Sequence, residues 1–398
     1  METTERLRIA LVVQRYGLEV SGGAELHCRW LAEHLNQYYD VHVITTCALD
    51  YTRWENHYPP GRDEINGVQV HRFRVDRRRD PKRFARLTVQ LLGRPHAYWD
   101  ELEWMRQQGP LSTGLSEFVR QQRSSYDVFI FFTYLYATTY FGLQLVPDKA
   151  VLVPTAHDEP VIYLSLFRPL FNLPRFIVYN TEVERRFVER LSGNYHVPSA
   201  VVGVGIDLPA DLSGERFRQK YDLDGDFVAY VGRVDSSKNC DELLDHFLRF
   251  RQGYAGDLKL VVMGKGSLPV PQHPDVVPLG FVSEQDKFDG LQAASVVVIP
   301  SRYESLSMAM LEAWLAGTPV LVNGECEVLK EQCQRSNGGL YYHSYQEFEL
   351  GLSLMLTRGG IGDRLAEAGR RFARENYSWS VIEQKYRALL GMMTASQG

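Results

Sequence analysis

The stretch from Val296 to Val320 constrains the fold of this chain more than any other. It opens with four apolar residues, Val296 to Ile299, which lead into a Pro-Ser turn. An apolar run at helical spacing follows and stops at Gly317 and Pro319. A short apolar run, a turn and a helical period predict a strand, a loop and a helix, the unit from which parallel α/β sheets are built.

Two carboxylates bracket the start of this predicted helix. Glu304 lies in the loop and Glu312 lies inside the helix, so each can contact a different end of an elongated ligand. Between them, Ser305, Leu306 and Ser307 carry backbone N–H groups at the predicted helix N-terminus, which favours an anion. The arrangement predicts a ligand with hydroxyl groups at both ends and phosphate in the middle. A buried βα unit with two solvent-facing glutamates is the alternative.

The same stretch resembles the nucleotide-sugar-binding element of retaining glycosyltransferases of family GT4 (glycosyl transferases group 1), which have the GT-B fold. The resemblance joins the two-glutamate spacing to the sequence AGTPV at Ala316 to Val320. It implies that Glu304 contacts the donor sugar and that residues 305–307 bind the donor. It also implies that Glu312 binds the ribose hydroxyls, which suits a carboxylate able to accept from two vicinal OH groups.

Length and charge limit the other possibilities. With 398 residues, the chain exceeds what one hydrophobic core usually serves, so we expect two domains. The formal net charge of −5 argues against a general nucleic-acid binder. Five cysteines without CxxC spacing predict buried or free thiols in a reducing compartment rather than disulfides or a zinc site. Neither a signal-like N-terminus nor a membrane-spanning run is evident, so we expect a cytoplasmic protein.

The first half repeats the alternation of strand and helix. Leu7 to Val13 is a near-continuous apolar run, and it leads to Gly22 and Gly23 before a run with helical period. Glycines there let a ligand approach the backbone, although many βα turns carry glycine for tightness alone. Together with Ala24 and Glu25 they resemble the GT4 loop beside the donor diphosphate and the acceptor. The missing GxGxxG pattern argues against a dinucleotide-dependent oxidoreductase.

A histidine follows a later predicted strand of this half. Ala150 to Pro154 is apolar, and the next loop carries His157 and Asp158 beyond the carboxyl end of the strand, where doubly wound sheets bind ligands. A lone loop histidine is most often an ordinary surface residue. The loop resembles the HD-containing loop of GT4 enzymes, which implies that His157 contacts the donor sugar near its reacting carbon.

Between these segments the composition becomes strongly basic. The basic residues are Arg72, Arg74, Arg77, Arg78, Arg79, Lys82, Arg83 and Arg86, and apolar residues at roughly helical intervals follow as far as Leu92. A basic stretch beside an amphipathic helix can lie on an anionic membrane surface. We therefore interpret residues 72–92 as a contact with the cytoplasmic face of a membrane. The alternative is a solvated loop with a helix packed on its own domain.

The linker VVGVGIDLP, from Val201 to Pro209, separates the two halves and resembles the GT4 linker, with Gly203 in place of the usual Asn. We therefore predict an acceptor-side Rossmann-like domain at residues 1–205 and a nucleotide-sugar-binding Rossmann-like domain at residues 206–376. A terminal helix at residues 377–398 is expected to return to the first domain.

The loop from Gly232 to Asn239 carries the second chemical signal. Arg233 and Lys238 share one predicted strand-to-helix loop, so both can converge at the end of the strand, although such a pair is more often simply exposed. A departing diphosphate needs its charge neutralised by a metal or by fixed cations. The pattern G-R-x-x-x-x-K resembles the GT4 diphosphate clamp, which implies that Gly232, Arg233 and Lys238 bind the donor.

Phe281 and Val282 occupy the GT4 position where the base of the nucleotide packs. The resemblance therefore implies that both residues bind the donor. It does not distinguish uracil from guanine, so a UDP-linked and a GDP-linked donor are both expected possibilities.

Together these patterns predict an α/β protein of the GT-B fold, with two doubly wound Rossmann-like domains facing across a cleft. The resemblance implies a retaining, metal-independent glycosyltransferase that moves a sugar from a nucleotide-diphosphate donor to a saccharide or lipid-linked acceptor in cell-surface polysaccharide or glycoconjugate synthesis. The candidate catalytic residues are His157, Arg233, Lys238 and Glu304, and neither a cofactor nor a metal is expected. A nucleotide-sugar epimerase of the same fold and a non-catalytic nucleotide-sugar-binding protein are the alternatives.

Overall fold

The computed structural model describes residues 6–20, 22–357 and 359–395. The outer ends of the predicted first domain and terminal helix, residues 1–5 and 396–398, lie outside the described residues. The chain divides into two compact units, Met1–Val204 with Ile382–Gly398, and Gly205–Val381. Each unit is built on its own sheet.

The described part of the first unit contains an eight-stranded sheet of order β3-β4-β2-β1-β5-β6-β7-β8. Its strands are β1 (Arg8–Val12), β2 (Asp40–Thr46), β3 (Gly61–Ile65), β4 (Val68–Phe73), β5 (Val128–Phe132), β6 (Ala150–Val153), β7 (Phe176–Tyr179) and β8 (Ser199–Val201). Its helices are α1 (Gly23–Leu35), α2 (Pro81–Gly93), α3 (Tyr98–Gln108), α4 (Thr113–Gln121), α5 (Ala137–Leu143), α6 (Phe167–Leu170) and α7 (Glu182–Ser192).

Burial explains why these segments are strands. Every residue of β5, β6 and β7 is buried, because a parallel sheet covered by helices removes both faces of its inner strands from water. The edge strand β3 is the exception: its sequence GRDEI is polar and mostly exposed, and it pairs antiparallel with β4. A polar edge strand leaves fewer apolar groups available for pairing with other chains.

The second unit contains, within the described residues, a six-stranded parallel sheet of order β11-β10-β9-β12-β13-β14. Its strands are β9 (Asp226–Val231), β10 (Leu258–Met263), β11 (Val276–Gly280), β12 (Val296–Ile299), β13 (Val320–Asn323) and β14 (Gly339–Tyr342). Its helices are α8 (Gly214–Tyr221), α9 (Cys240–Gly253), α10 (Glu284–Ala293), α11 (Met308–Ala316), α12 (Glu327–Ser336), α13 (Tyr345–Leu356) and α14 (Ile361–Tyr377).

The strand order of each sheet creates a point where the winding reverses. In the second unit β9 pairs with β10 on one side and with β12 on the other, so the loops that leave β9 and β12 diverge at the carboxyl edge. In the first unit β1 pairs with β2 and β5 in the same way. In doubly wound sheets such reversals open a crevice beyond the carboxyl ends of the strands, where ligands bind. The predicted α/β class with two doubly wound sheets is confirmed.

The last helix, α15 (Trp379–Ala395), corrects one prediction. Tyr377 is the final residue of α14, so the predicted terminal helix starts two residues later than expected. From Ile382 onward α15 belongs to the first unit. There the carboxylate of Glu383 lies 2.7 Å from Nδ1 of His34 and accepts a 2.9 Å hydrogen bond from the hydroxyl of Tyr38.

The five cysteines are all free and buried, as their spacing predicted. No helix among the described residues is both long and apolar enough to cross a membrane.

Candidate functional site

Two predicted catalytic residues meet at the carboxyl edge of the second sheet. Nζ of Lys238, in the loop after β9, donates a 2.7 Å hydrogen bond to Oε1 of Glu304, in the loop after β12. The two strands are the pair at which the winding reverses. The side chains of Lys238 and Glu304 are 29% and 14% exposed, so the ion pair is partly open to solvent. A cation and a carboxylate therefore lie where a doubly wound sheet binds its ligand.

Arg233 lies in the same loop but is held by a different carboxylate. Its Nε is 2.9 Å from Oδ2 of Asp235, and its side chain remains largely exposed. Asp235 also accepts a 3.1 Å hydrogen bond from the backbone N–H of Lys238, which fixes the short helical turn at residues 236–238. The structure thus places both predicted cations in one loop, each beside its own carboxylate.

Glycines allow the loops after β9 and β10 to lie against each other. Gly232 has φ of 144°, and the backbone N–H of Gly264 donates a 2.7 Å hydrogen bond to the carbonyl of Gly280. A Cβ on Gly264 would collide with the carbonyl oxygen of Gly232, and a Cβ on Gly266 with that of Val234. The predicted donor residue Gly232 therefore has a conformational reason to be glycine, and Gly264 and Gly266 have a steric one.

The helix predicted after Glu304 begins later than expected. α11 starts at Met308, and Ser307 is its N-cap, accepting a 3.3 Å hydrogen bond from the N–H of Met310. Ser305 and Leu306 therefore precede the helix in a turn, and their N–H groups are not part of its first turn. The cap explains the difference, because Ser307 has the extended backbone that an N-cap residue adopts.

Glu312 has a partner that the sequence did not reveal. It lies buried in α11, and Nζ of Lys287 in α10 donates a 2.8 Å hydrogen bond to its Oε1. Lys287 also contacts Glu284 at 2.7 Å. Burial lowers the pKa of Lys287, but the carboxylates of Glu312 and Glu284 outweigh burial and raise this pKa above its ordinary value. Glu312 is thus one half of a buried ion pair.

Phe281 and Val282 follow β11 at the same edge of the sheet. The ring of Phe281 is 71% exposed, whereas Val282 is half-buried. An aromatic ring left in water beside a ligand edge is suited to stacking on a flat base. The geometry is compatible with the predicted contact.

In the first unit, Gly22 is the N-cap of α1, so Gly22 and Gly23 lie at the helix start as predicted. A buried ion pair between Arg15 and Glu25 flanks the two glycines in sequence. Nε of Arg15 donates a 2.8 Å hydrogen bond to Oε1 of Glu25. A Cβ on Gly22 would collide with the Glu25 carboxylate, whereas the space around Gly23 is open. Gly22 therefore accommodates the ion pair, and Gly23 leaves the backbone accessible.

His157 lies in the loop after β6, half-exposed, with Nδ1 3.9 Å from Oε1 of Glu159. Glu159 in turn accepts a 2.6 Å hydrogen bond from the buried hydroxyl of Tyr134. The loop also contains Thr155 with φ of 49°, a conformation that a β-branched residue adopts only under strain. The His157 loop is thus held in a specific conformation at the carboxyl edge of the first sheet.

Glu184 explains how this loop is held, and the sequence analysis missed it. Its buried carboxylate accepts 2.6 Å hydrogen bonds from the backbone N–H groups of Ala156, next to His157, and of Asn180, after β7. Burial raises the pKa of Glu184 to about 8, although these backbone donors and Thr181 lower it. The pattern Thr181-x-x-Glu184 is a capping box at the start of α7, which was the available signal.

The basic stretch at residues 72–92 needs a partial correction. Arg72 is buried and donates a 2.7 Å hydrogen bond to the carbonyl of Tyr16, and Arg79 donates to the carbonyls of Thr52 and Gln108. These two side chains point into the unit. Lys82 and Arg86 on α2 are exposed, so part of the predicted surface is available.

Comparisons with known proteins agree with this fold. Residues 225–350 match the profile of the family described as glycosyl transferases group 1. An uncharacterised glycosyltransferase of Methanocaldococcus jannaschii is 25% identical, over 97% of this chain and 100% of that protein. Mannosylfructose-phosphate synthase of Agrobacterium fabrum is 26% identical, but over only 46% of this chain and 44% of that protein.

Solved structures extend the similarity to almost the whole chain. Sucrose-phosphate synthase from Thermosynechococcus elongatus has a TM-score of 0.74 at 16% identity, covering 98% of this chain and all of that one. Anabaena HepE, solved with UDP and glucose, has a TM-score of 0.70 at 16% identity, covering 97% of this chain and 99% of its own. The fold is that of the GT-B glycosyltransferases.

The group 1 profile and this fold are those of glycosyltransferases. The chain resembles the GT4-like members of that class in the sequence of residues 225–350 and in its fold.

We predict that Glu184→Gln lowers the free energy of unfolding by about 1–3 kcal/mol, because one backbone N–H would then face an amide NH₂. Glu184 also makes stability depend on pH. The pKa of Glu184 is higher in the folded chain than in the unfolded chain. Its favourable contribution to the free energy of unfolding is therefore complete below pH 4.5, the ordinary pKa, and is lost as pH rises through about 8. Urea unfolding at several pH values across this window should show a smaller loss of stability in the variant.

Glu182→Gln is the matched control, because Glu182 lies on the same helix in a partly exposed pair with Arg185. We expect it to change stability by less than about 0.5 kcal/mol at every pH. Equal pH profiles for the wild type and Glu184→Gln would show that this carboxyl is not the titrating group.

We predict that Lys287→Met lowers the free energy of unfolding by about 3–5 kcal/mol, because it leaves the buried Glu312 carboxylate without its cation. Replacing Glu312 by Leu in the same chain should restore part of the loss. Lys220→Met is the control: Lys220 is half-exposed in a 2.8 Å pair with Asp286, so its loss should lower the free energy of unfolding far less than the loss of Lys287. Similar losses in the two single variants would contradict a special role for the buried pair.

Proposed function

We propose that the chain transfers a sugar from a nucleotide-diphosphate donor, UDP- or GDP-linked, to a saccharide or lipid-linked acceptor, with retention of anomeric configuration and without a metal. The observation that carries the proposal is the Lys238–Glu304 pair at the reversal point of the second sheet. There a cation for the diphosphate and a carboxylate for sugar hydroxyls lie side by side. We place the reaction on the cytoplasmic side of the membrane, in polysaccharide or glycoconjugate synthesis.

In the proposed reaction, the acceptor oxygen bonds to the anomeric carbon on the face from which the diphosphate leaves. The bond between that carbon and the diphosphate oxygen breaks, and the acceptor proton passes to the departing oxygen. Arg233 and Lys238 stabilise the charge that develops on the diphosphate, as fixed cations do without reorganisation during the reaction. No side-chain nucleophile is required.

The remaining predicted residues bind the parts of the donor. Glu304 and His157 contact the sugar, and Glu312 accepts from the ribose hydroxyls while Lys287 holds its other side. Phe281 stacks on the base, and Val282 packs beside it. The UDP and glucose bound to HepE support a nucleotide-sugar donor.

The acceptor we propose carries a phosphate. Mannosylfructose-phosphate synthase and sucrose-phosphate synthase are named for phosphorylated products, and both resemble this chain. A soluble sugar phosphate and a lipid-linked saccharide share this group.

The proposal is tested by incubating the protein with UDP- and GDP-sugars and candidate acceptors, and following the products by mass spectrometry. Transfer predicts an acceptor heavier by one sugar residue together with free nucleoside diphosphate. Conversion of the sugar without acceptor modification would identify an epimerase instead. Binding without turnover of any donor would identify a nucleotide-sugar-binding protein.

We predict that Lys238→Ala lowers kcat about a hundredfold or more, because a fixed charge beside the leaving diphosphate is lost. Its unfolding free energy should change by under about 1 kcal/mol, since the pair with Glu304 is partly solvated. Lys220→Ala removes the same charge from a half-exposed pair with Asp286 and should keep wild-type turnover. Activity lost in EDTA and restored by magnesium would contradict the metal-free mechanism.

Docking on an anionic membrane through α2 is a second part of the proposal. Its outer face combines the exposed cations Lys82 and Arg86 with Val89, which is 72% exposed, and Leu92. Trp99, at the start of the neighbouring α3, is also largely exposed. Cations with apolar and aromatic neighbours suit the headgroup region of a bilayer.

We predict that the protein sediments with phosphatidylglycerol vesicles and not with phosphatidylcholine vesicles, and that added salt weakens this binding. Each cation near the surface contributes about 1 kcal/mol, so Lys82→Ser with Arg86→Ser should weaken binding about tenfold or more. Arg371→Ser with Arg374→Ser removes the same charge from exposed positions of α14 and is the control. Equal binding by both double variants would exclude α2 as the contact.

A further inference from the structure

A cavity of about 80 Å³ in the first unit is lined by five arginine side chains. It lies among the loops after β2 and β4, the start of α2 and the end of α3. The arginines are Arg77, Arg78, Arg79, Arg83 and Arg106, and Asp80 is the one carboxylate in the described lining. This surplus of positive charge contrasts with the net charge of −5 for the whole chain.

Arg79 forms a fixed part of the cavity wall. Its guanidinium packs near the rings of Trp54 and Phe84, 5.2 Å and 4.8 Å from their centroids. Its Nε donates a 2.8 Å hydrogen bond to the carbonyl of Thr52, and Nη1 donates to the backbone and side-chain oxygens of Gln108 at 3.2 and 3.0 Å. All of these acceptors are neutral, so the charge of Arg79 is not cancelled by them.

Trp54 shows that the wall is built to a specific shape. It has φ of 57°, a strained conformation for a bulky residue, and it is fully buried. Its indole N–H donates a 2.7 Å hydrogen bond to the carbonyl of Gln108, the same atom that accepts from Arg79. Such strain persists only where the surroundings fix it, as they do at binding sites.

The other arginines are weakly neutralised. Arg77 and Arg106 share Glu103 at 3.3 and 4.0 Å, and both are largely exposed, so these ion pairs are worth little. Within the part of the chain that the structure describes, the guanidinium of Arg83 has neither an ion pair nor a hydrogen bond. Asp80 is occupied as the N-cap of α2, accepting from the N–H groups of Lys82 and Arg83.

We infer that this cavity binds a phosphoryl group, and that it is the site for the phosphate of the acceptor. Arginine's planar fork of donors matches the oxygens of phosphate, and the lining of the cavity includes Arg83 and Arg106, whose forks are not held by close ion pairs. The assignment to the acceptor rests on the proposed function. It is favoured because β2, β4 and β1 pair in parallel, so the loops after β2 and β4 share the sheet edge that carries Gly22 and Gly23.

Calorimetric titration of the full chain with inorganic phosphate and with glucose 6-phosphate tests the site. Arg83→Gln and Arg106→Gln should each raise the Kd for both probes about tenfold, the loss expected for one charge-assisted contact. Arg371→Gln is the matched control: it removes the same charge from an exposed position of α14 outside the cavity and should leave both Kd values within about twofold. Arg106→Lys keeps the charge, so a partial loss would show that the fork itself matters.

Two further measurements identify the source of the phosphate and distinguish failure of this inference from failure of the proposed function. Loss of glucose 6-phosphate binding in Arg83→Gln and Arg106→Gln indicates a soluble acceptor, whereas a selective loss of binding to phosphatidylglycerol vesicles, relative to Arg371→Gln, indicates a lipid headgroup. Equal probe binding by all variants and the wild type, or none by the wild type, overturns the inference. UDP binding is measured in parallel: failure of the wild type to bind UDP overturns the proposed donor and leaves the result for the cavity intact.

Discussion

The pairing of β9 with β12 is the contact on which the second unit depends. The chain builds β10 and β11 on one side of β9 before it returns to place β12 on the other, with Val296 opposite Val228 and Val297 opposite Ala229. This register brings Lys238 and Glu304, 66 residues apart in sequence, to within 2.7 Å. A slip of one residue would turn the buried side chains of β12 to the opposite face, so the core that fixes the register also fixes the ion pair.

Ionisable groups that are removed from water collect near the predicted ligand loops of both sheets. They are the ion pairs of Arg15 with Glu25 and of Lys287 with Glu312, and the carboxyl group of Glu184, all of them buried. Burying such a group costs free energy unless the group is paired, and a hydrophobic replacement often leaves the protein at least as stable. Their concentration near the predicted ligand loops is therefore better explained by positioning of those loops than by overall stability.

The sequence predicted those parts of the fold that depend on local pattern. β12 was predicted with the observed bounds, and β1 and β6 to within one residue at each end, because uninterrupted apolar runs between turn residues have few other interpretations. β3 and β11 were not predicted, since GRDEI is polar and VVPLG is largely half-buried and contains proline. In both cases strand formation depends on a neighbouring strand rather than on the segment itself.

The candidate site likewise contains features that the sequence predicted and features that it did not. Lys238 and Glu304 were predicted to be near a ligand, because spacing after a strand places a residue at the sheet edge. Their direct contact, and the partners Lys287 and Arg15, depend on tertiary packing and left no pattern in the sequence. The late start of α11 arose because the cap at Ser307, rather than the apolar period, decides where a helix begins.

The hydrogen bonds of Glu184 also have a consequence for the order in which the protein becomes functional during synthesis. The carboxylate that holds the backbone at Ala156 is added to the chain 28 residues later. A nascent chain emerging from the ribosome can complete β6 while the neighbouring His157 loop still lacks this anchor. The loop gains its final conformation only when α7 has been made and has folded, so a ribosome-bound fragment that ends before Glu184 would contain the histidine in a loop that is not yet anchored.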